Sequence, residues 1–373
     1  MPDVRAAMQR KLENVKVPAV TFESFLRRRE RMIRRRRVAA GVIAIVIAVA
    51  TLGTLLRAID RSTGVPGATP TAPKVVPLEP AGSIAFARST RAGDSIYLYE
   101  PSGTVSRLVD LRCTGEAPGR LCGGRVSGLG FSPDGIRLAY TLRSQSTAQG
   151  TPGKDGLYVM DLRTGVSTRI VACDRPECVE IAALAWSPAG TSIAYTADAE
   201  IHLVAPDGSE DRRLDIGLLY AYGLAWSGGG SRIVFSGSED DQGVGGDLFS
   251  VGANASTTGG APVEPVDVGD AAPELIWSFS LHPDDGSIAL AGSAAVAGAS
   301  SRARVWISDS EGNAEKLEGL GLGWQRAVSW SPDGSHIAVM SNGHLITIRP
   351  DGTGRQELAK TWSPEPPAWY PAT

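Results

Sequence analysis

Short apolar segments alternate with turn sequences from about residue 81 to residue 371. One motif recurs there: an apolar strand, an aromatic residue, a tight turn and a second apolar strand, as in GLGFSPDGIRLAYT from Gly128 and VSWSPDGSHIAVMS from Val328. Apolar residues that alternate with polar ones between Gly- and Pro-containing turns predict antiparallel strands. The aromatic residues assigned to the five complete motifs are Phe131, Trp186, Trp226, Phe279 and Trp330.

A second hairpin follows each motif, as in LYVMDLRTGVSTRIV and LITIRPDGTGRQELA. Each unit therefore contains four antiparallel strands, which is typical of a β-propeller blade. The repeat predicts six blades, at residues 83–111 with 366–371, 126–172, 181–216, 221–269, 275–319 and 327–360.

The first blade lacks its own first strand and aromatic residue. PAGSIAFAR at residues 80–88 begins in the middle of the motif, and PPAWYP at residues 366–371 stops where that segment resumes. Joining Pro371 to Ala81 restores the register that Trp186–Gly190 shows in one chain segment. We therefore expect a velcro closure, in which the C-terminal strand completes the first blade and removes the unpaired edge of the ring.

The Ser-Pro-Asp-Gly segments of the motif have the composition of a hairpin turn. Proline presets φ at the second position, Asp caps the backbone of the turn, and Gly accepts a positive φ. No segment has the alternating Asp and Asn residues of a calcium loop, so a turn is the better interpretation. Ser227 occupies the repeat position of Ser187 and Ser331, which favours a turn over a nucleophile elbow there.

FSPDGIRLAYT with GLYVMDLRTG, and SWSPDGSHIAVMS with HLITIRPDGTG, resemble the blades of TolB-like six-bladed propellers, which carry a WD40-like repeat. The resemblance covers residues 81–371 and implies the fold rather than a function, because such blades serve many roles. TolB itself has a small α/β domain before its propeller, whereas this chain has an apolar segment and a Pro-rich stretch there. The Trp-Asp signature of WD repeats does not occur, and Gly-His occurs once, at Gly343-His344.

An apolar segment precedes the propeller. Val38–Leu56 contains 19 residues without a charge, which as a helix would span about 28 Å, close to the thickness of a bilayer's hydrocarbon core. We predict a single transmembrane helix at 38–56, a basic cytoplasmic segment at 1–37, a Pro-rich linker at 57–80 and the all-β propeller at 81–373. The many arginines before residue 38 predict a cytoplasmic N-terminus and an extracytoplasmic propeller at the cell membrane.

The net charge of −3 hides an asymmetry. Residues 1–37 hold 12 Lys and Arg against 4 Asp and Glu, a balance of +8, so the rest of the chain carries −11. This split argues against nucleic-acid binding by the acidic part. The basic segment would bind anionic lipid, and the partner of the propeller would be an extracytoplasmic protein or another ligand of the cell envelope.

Loop lengths indicate which face of the propeller binds. With blade strands named a to d from the inside outwards, the b–c loops and d–a links lie on one face, here called the loop face. The longest of these connections are predicted at residues 143–155, 238–246, 292–303, 112–125 and 172–180. Binding residues concentrate on long loops of a rigid scaffold.

The candidate contacts are Arg143, Lys154, Asp155, Glu239, Asp240, Asp241 and Arg302. Solvated loops without a partner are the alternative.

The four cysteines fall on two d–a links, as the pairs Cys113 with Cys122 and Cys173 with Cys178. An even number of cysteines in an exported domain favours local disulfides. A four-thiolate zinc site remains the alternative, although the spacings differ from the usual paired CxxC.

Catalytic motifs are not recognisable in the sequence. None of the four histidines has a ligand partner or a nucleophile motif beside it, and no phosphate-binding Gly-Lys loop occurs. We therefore expect no enzymatic activity and no cofactor, and interpret the chain as a membrane-anchored binding, scaffold or sensing protein. One alternative is a transmembrane signalling regulator of anti-sigma type, in which the basic segment acts inside the cell. The other is an enzyme whose site is assembled from several blades.

Overall fold

The computed structural model describes residues 82–112, 124–144, 155–173, 178, 180–217, 220–238, 246–255, 262–293, 303–320 and 324–371. The basic segment, the predicted transmembrane helix and the Pro-rich linker lie outside these ranges. Within them, no helix has the length and hydropathy that a membrane crossing requires.

The described residues form six antiparallel sheets, each a blade with inner strand a and outer strand d. Strands a are β4 (Gly124–Arg125) with β5 (Leu129–Phe131), β9 (Ile181–Trp186), β13 (Tyr220–Trp226), β17 (Leu275–Leu281), β21 (Gln325–Trp330) and β25 (Ala368–Trp369). Strands b are β1 (Ile84–Thr90), β6 (Arg137–Ser144), β10 (Ile193–Ala197), β14 (Arg232–Ser238), β18 (Ile288–Ser293) and β22 (Ile337–Ser341).

The two outer strands complete each blade. Strands c are β2 (Gly93–Tyr99), β7 (Gly156–Asp161), β11 (Glu200–Val204), β15 (Asp247–Gly252), β19 (Arg304–Ser308) and β23 (His344–Ile348). Strands d are β3 (Val105–Asp110), β8 (Ser167–Ala172), β12 (Arg212–Leu214), β16 (Val263–Pro265), β20 (Ala314–Lys316) and β24 (Gln356–Lys360). The fold class is thus the predicted six-bladed all-β propeller.

The velcro closure is confirmed. Strand β25 pairs with β1, and Trp369 lies opposite Ile84 as Trp186 lies opposite Ile193 in the third blade. The Tyr370 N–H donates to the Ser83 carbonyl at 2.8 Å, as Ser187 donates to Ser192 in that blade. Strand β25 with the residues after it, and the residues before β1, therefore form the a–b turn motif of the first blade, as the repeat predicts.

The core lies between successive blades, and strand b explains its composition. Ile84 and Phe86 of β1 pack against the sixth blade, whereas Ala85 and Ala87 pack against the second. Because neighbouring side chains of a strand point to opposite faces, an alternation of large and small residues fits a sheet that is covered on both sides. All four residues are buried.

The aromatic assignment in the fifth blade is wrong. Register places Leu281 opposite Ile288, the position that Trp330 occupies opposite Ile337 in the next blade. Phe279 lies two residues earlier and corresponds to Val328. The turn of this blade has His282-Pro283 where three other blades have Ser-Pro, so the spacing of the motif does not identify the equivalent residue, which is Leu281 rather than an aromatic.

The turn interpretation is confirmed where the motif is complete. Gly135 and Gly334 have φ of 66° and 67°. The Ser331 hydroxyl donates to the Asp333 carboxylate at 2.6 Å, and that carboxylate also accepts the Ser335 N–H at 3.0 Å. These hydrogen bonds lower the pKa of Asp333 to about 2, so the carboxylate is ionised and caps the turn.

Candidate functional site at the mouth of the central channel

The inner strands of all six blades surround a central channel of about 490 Å³. Its lining extends from Glu365, at the end that carries the d–a links, to Pro133 and Pro188 in the a–b turns at the opposite end. The channel therefore follows the length of the inner strands. A cavity of this size, walled by rigid strands, is a common place for ligand binding.

Corresponding positions of four blades form a ring near the loop-face end of the channel. Ser127, Tyr222, Trp277 and Glu365 each lie four residues before the end of strand a, and all four line the channel. Two of these positions are aromatic and one is acidic. The repeat thus carries different chemistry at one structurally equivalent site, which is where specificity can arise without a change of fold.

Asp94 is one of three carboxylates around this mouth. It is the second residue of strand c of the first blade and is only 1% exposed. Its carboxylate accepts the Arg125 guanidinium and the Val126 N–H, both at 2.9 Å. A buried carboxylate requires such partners, so Asp94 fastens the first blade to the inner strand of the second.

Glu180 is the second carboxylate. It stands just before β9, and its carboxylate lies 2.6 Å from the Arg143 guanidinium. Its backbone N–H donates to the Asp198 carboxylate at 3.1 Å, and Asp198 occupies the tight b–c turn with φ of 50°. The second and third blades are therefore joined by an ion pair on the loop face.

Glu365 is the third carboxylate, and it is half-buried in the channel. The low polarity around it, with repulsion from Asp94 and Glu180, raises the pKa of Glu365 to about 8. Among the described residues its carboxylate makes neither a hydrogen bond nor an ion pair. Its backbone is held by a hydrogen bond from the Glu365 N–H to the Ser363 hydroxyl at 3.2 Å.

Aromatic side chains form another part of this mouth. The rings of Trp277 and Trp324 are stacked, with centroids 6.5 Å apart and planes 16° from parallel. The Arg326 guanidinium lies 5.3 Å from the centroid of the Trp324 ring. Trp324 is 40% exposed, whereas the indole N–H of Trp277 is buried and has no hydrogen-bond partner in the described structure.

The structure brings one of the predicted contact residues to this site. Arg143 pairs with Glu180 at the mouth, whereas Asp155 directly precedes strand c of its blade, and its carbonyl accepts the Cys173 N–H at 3.0 Å. The other candidates lie outside the described residues, namely Lys154, Glu239, Asp240, Asp241 and Arg302. Strand bounds place the five predicted connections at b–c and d–a positions, and they place one further long connection, residues 253–262, at a c–d position on the opposite face.

The disulfide between Cys173 and Cys178 is confirmed, with a Cα–Cα distance of 4.8 Å. It closes the link between β8 and β9 directly before Glu180. Cys113 and Cys122 lie outside the described residues. In the described ranges, no group of three or more His, Cys, Asp or Glu side chains is arranged to hold a metal ion.

Sequence reasoning missed Glu365, Asp94 and Arg125. A signal for Glu365 exists, because it precedes Trp369 by four residues, as Tyr222 precedes Trp226. Aligning the closing segment with the complete motifs places it on an inner strand. The pairing of Asp94 with Arg125 joins residues of different blades and leaves no local pattern in the sequence.

No family model and no curated protein matches the chain. Solved structures do match it. TolB from Acinetobacter baumannii is 18% identical with a TM-score of 0.57, over 78% of this chain and 67% of that one. A chain of the nidogen/laminin complex is 12% identical with a TM-score of 0.53, over 78% and 98%. At these identities the likeness is one of fold, and the part of the chain described by the structure is a six-bladed β-propeller similar to that of TolB.

Proposed function

We propose that this chain is a binding protein whose propeller takes a protein partner on the loop face, around the mouth of the central channel. The observation that carries the proposal is the mouth itself, where the exposed Trp324 stacked on the half-buried Trp277, two ion pairs and an unpaired carboxylate meet at the ends of the blade strands. Exposed aromatic residues and arginine are enriched at protein interfaces. One of the similar structures is a nidogen/laminin complex, which supports a protein as the partner.

Site-specific photo-cross-linking in cells tests this proposal. A photoreactive amino acid replaces Trp324 on the loop face or, as the matched control, Val166 in a c–d turn on the opposite face. Both positions carry exposed hydrophobic side chains, at 40% and 56% exposure. We expect a discrete protein adduct from position 324 and none from 166. Equal adducts from both positions, or none from either, would contradict a binding loop face.

We also propose that residues 38–56 anchor the protein in the cell membrane, with the propeller outside the cytoplasm. The uncharged 19-residue segment behind a basic flank supports this topology. The Cys173–Cys178 disulfide supports an oxidising compartment for the propeller. A membrane-impermeant biotin reagent applied to intact cells should label the propeller. Labelling that requires cell lysis would contradict the topology.

A further inference from the structure

We propose that Glu365 is the anionic group of a subsite for an organic cation, a guanidinium or ammonium group on a side chain of the protein partner. This inference rests on the proposed function, because it names what the partner inserts into the channel mouth.

The charges at the mouth leave one carboxylate to be neutralised. Asp94 is paired with Arg125 at 2.9 Å, and Glu180 is paired with Arg143 at 2.6 Å. Glu365 lies close enough to both acids to be repelled by them, yet it has no cationic partner of its own in the described structure. A cation placed there would satisfy the carboxylate and relieve the repulsion.

The lining of the channel that contains Glu365 suits an organic cation better than a metal ion. Tyr222 and Trp277 occupy equivalent ring positions, and an aromatic face attracts a guanidinium or ammonium group. Calcium takes six to eight oxygen ligands, whereas Glu365 supplies one carboxylate, and Asp94 and Glu180 already form ion pairs with arginines.

The backbone around Glu365 is fixed before any ligand arrives. Pro366 and Pro367 follow it, strand β25 begins at Ala368, and the Ser363 hydroxyl accepts the Glu365 N–H. Proline limits φ, so the carboxylate loses little backbone freedom on binding. A prearranged group of this kind contributes affinity by lowering the entropy cost of association.

Ionisation of Glu365 makes binding of a cation depend on pH. With a pKa of about 8 in the free protein, about one molecule in ten carries the anion at pH 7 and about one in a hundred at pH 6. The facing charged groups are Asp94 and Glu180, with Arg125 and Arg143 as their partners. Affinity for a permanently charged guanidinium should therefore fall roughly tenfold per pH unit below pH 8.

Binding of benzylguanidine to the full chain, followed by calorimetry, tests the subsite. Benzylurea is the neutral isostere. We expect binding of benzylguanidine but not of benzylurea, a loss of at least tenfold in Glu365→Gln, and no change in Glu311→Gln, which alters an exposed c–d turn. Loss of the tenfold-per-unit pH profile in Glu365→Gln is also expected. Equal affinity of wild type and Glu365→Gln would overturn the subsite, as would Glu365-dependent binding of calcium that displaces benzylguanidine. Thermal unfolding establishes that each variant is folded.

Two further measurements identify the source of the cation. A tripeptide with a central arginine should bind, its citrulline analogue should not, and spermidine should bind more weakly than the arginine peptide. Tighter, Glu365-dependent binding of spermidine would overturn a protein-borne cation. With the cross-linker at Trp324, Glu365→Gln should reduce the adduct. An adduct that is unchanged in this variant refutes the inference and leaves the proposed function intact, whereas no adduct in wild type refutes the function itself.

Discussion

Four tryptophans occupy the same position of the repeat, and one of them lacks a hydrogen bond that the others make. The indole N–H of Trp186 donates to the Gly130 carbonyl of the preceding blade at 3.0 Å. Trp226 and Trp369 make the same contact at 3.0 Å with the equivalent carbonyl of their preceding blades. The indole N–H of Trp330 is buried and has no partner in the described structure.

Replacement of these residues by phenylalanine should therefore have unequal effects. Trp186 and Trp330 are a matched pair, because they are 9% and 7% exposed and each lies opposite an isoleucine of the neighbouring strand b. Loss of volume is the same at both sites. Trp186→Phe also loses a net hydrogen bond of about 0.5–1.5 kcal/mol, whereas Trp330→Phe removes an unsatisfied buried donor whose burial costs about 1–3 kcal/mol. Trp186→Phe should thus destabilise by about 1.5–4.5 kcal/mol more than Trp330→Phe.

Urea unfolding followed by far-ultraviolet circular dichroism measures this difference. The two variants should share one m-value, so that their midpoints compare free energies of unfolding directly. Trp226→Phe should lose about as much free energy of unfolding as Trp186→Phe, because the Trp226 indole N–H donates to the Ala185 carbonyl. Equal losses at positions 186 and 330 would refute the reasoning that hydrogen bonds between blades distinguish these rings.

Three further predictions concern turns, the channel and the disulfide. Gly334→Ala should lower the melting temperature by more than Gly217→Ala. Both glycines have φ near +70°, but an added Cβ at 334 would overlap the His282 imidazole of the preceding blade, whereas the space at 217 is open. Equal melting temperatures would contradict this packing. Because the pKa of Glu365 is raised to about 8 from 4.5, wild type should lose stability relative to Glu365→Gln as pH rises from about 4.5 to about 8, by at most about 5 kcal/mol. A pH-independent difference in urea midpoints would refute that shift. Loss of the Cys173–Cys178 disulfide, a separation of five residues, in a Cys173→Ser/Cys178→Ser variant should lower the free energy of unfolding without reductant by about 2 kcal/mol, and a urea midpoint equal to that of wild type would contradict this.

The blades were predictable because each repeats a local pattern of strand, turn and strand. Even the long-range pairing of Ile84 with Trp369 followed, since the two chain segments are halves of one motif. Phe279 was misassigned because spacing to an aromatic residue does not fix register when His282 replaces the usual turn serine. The channel mouth was largely missed. Its charge pairs join residues from different blades, and the burial and the neighbouring acids that raise the pKa of Glu365 arise only in the assembled ring.

The closure between β1 and β25 also sets the order of events during synthesis. Strand β1 is the first strand of the propeller to be synthesised, but its inner edge at Ile84 has no partner until Ala368 and Trp369 have emerged from the ribosome. An open strand edge is a site for association with other chains. Nascent propellers should therefore need a chaperone for most of their translation, and ring closure should be a late folding step.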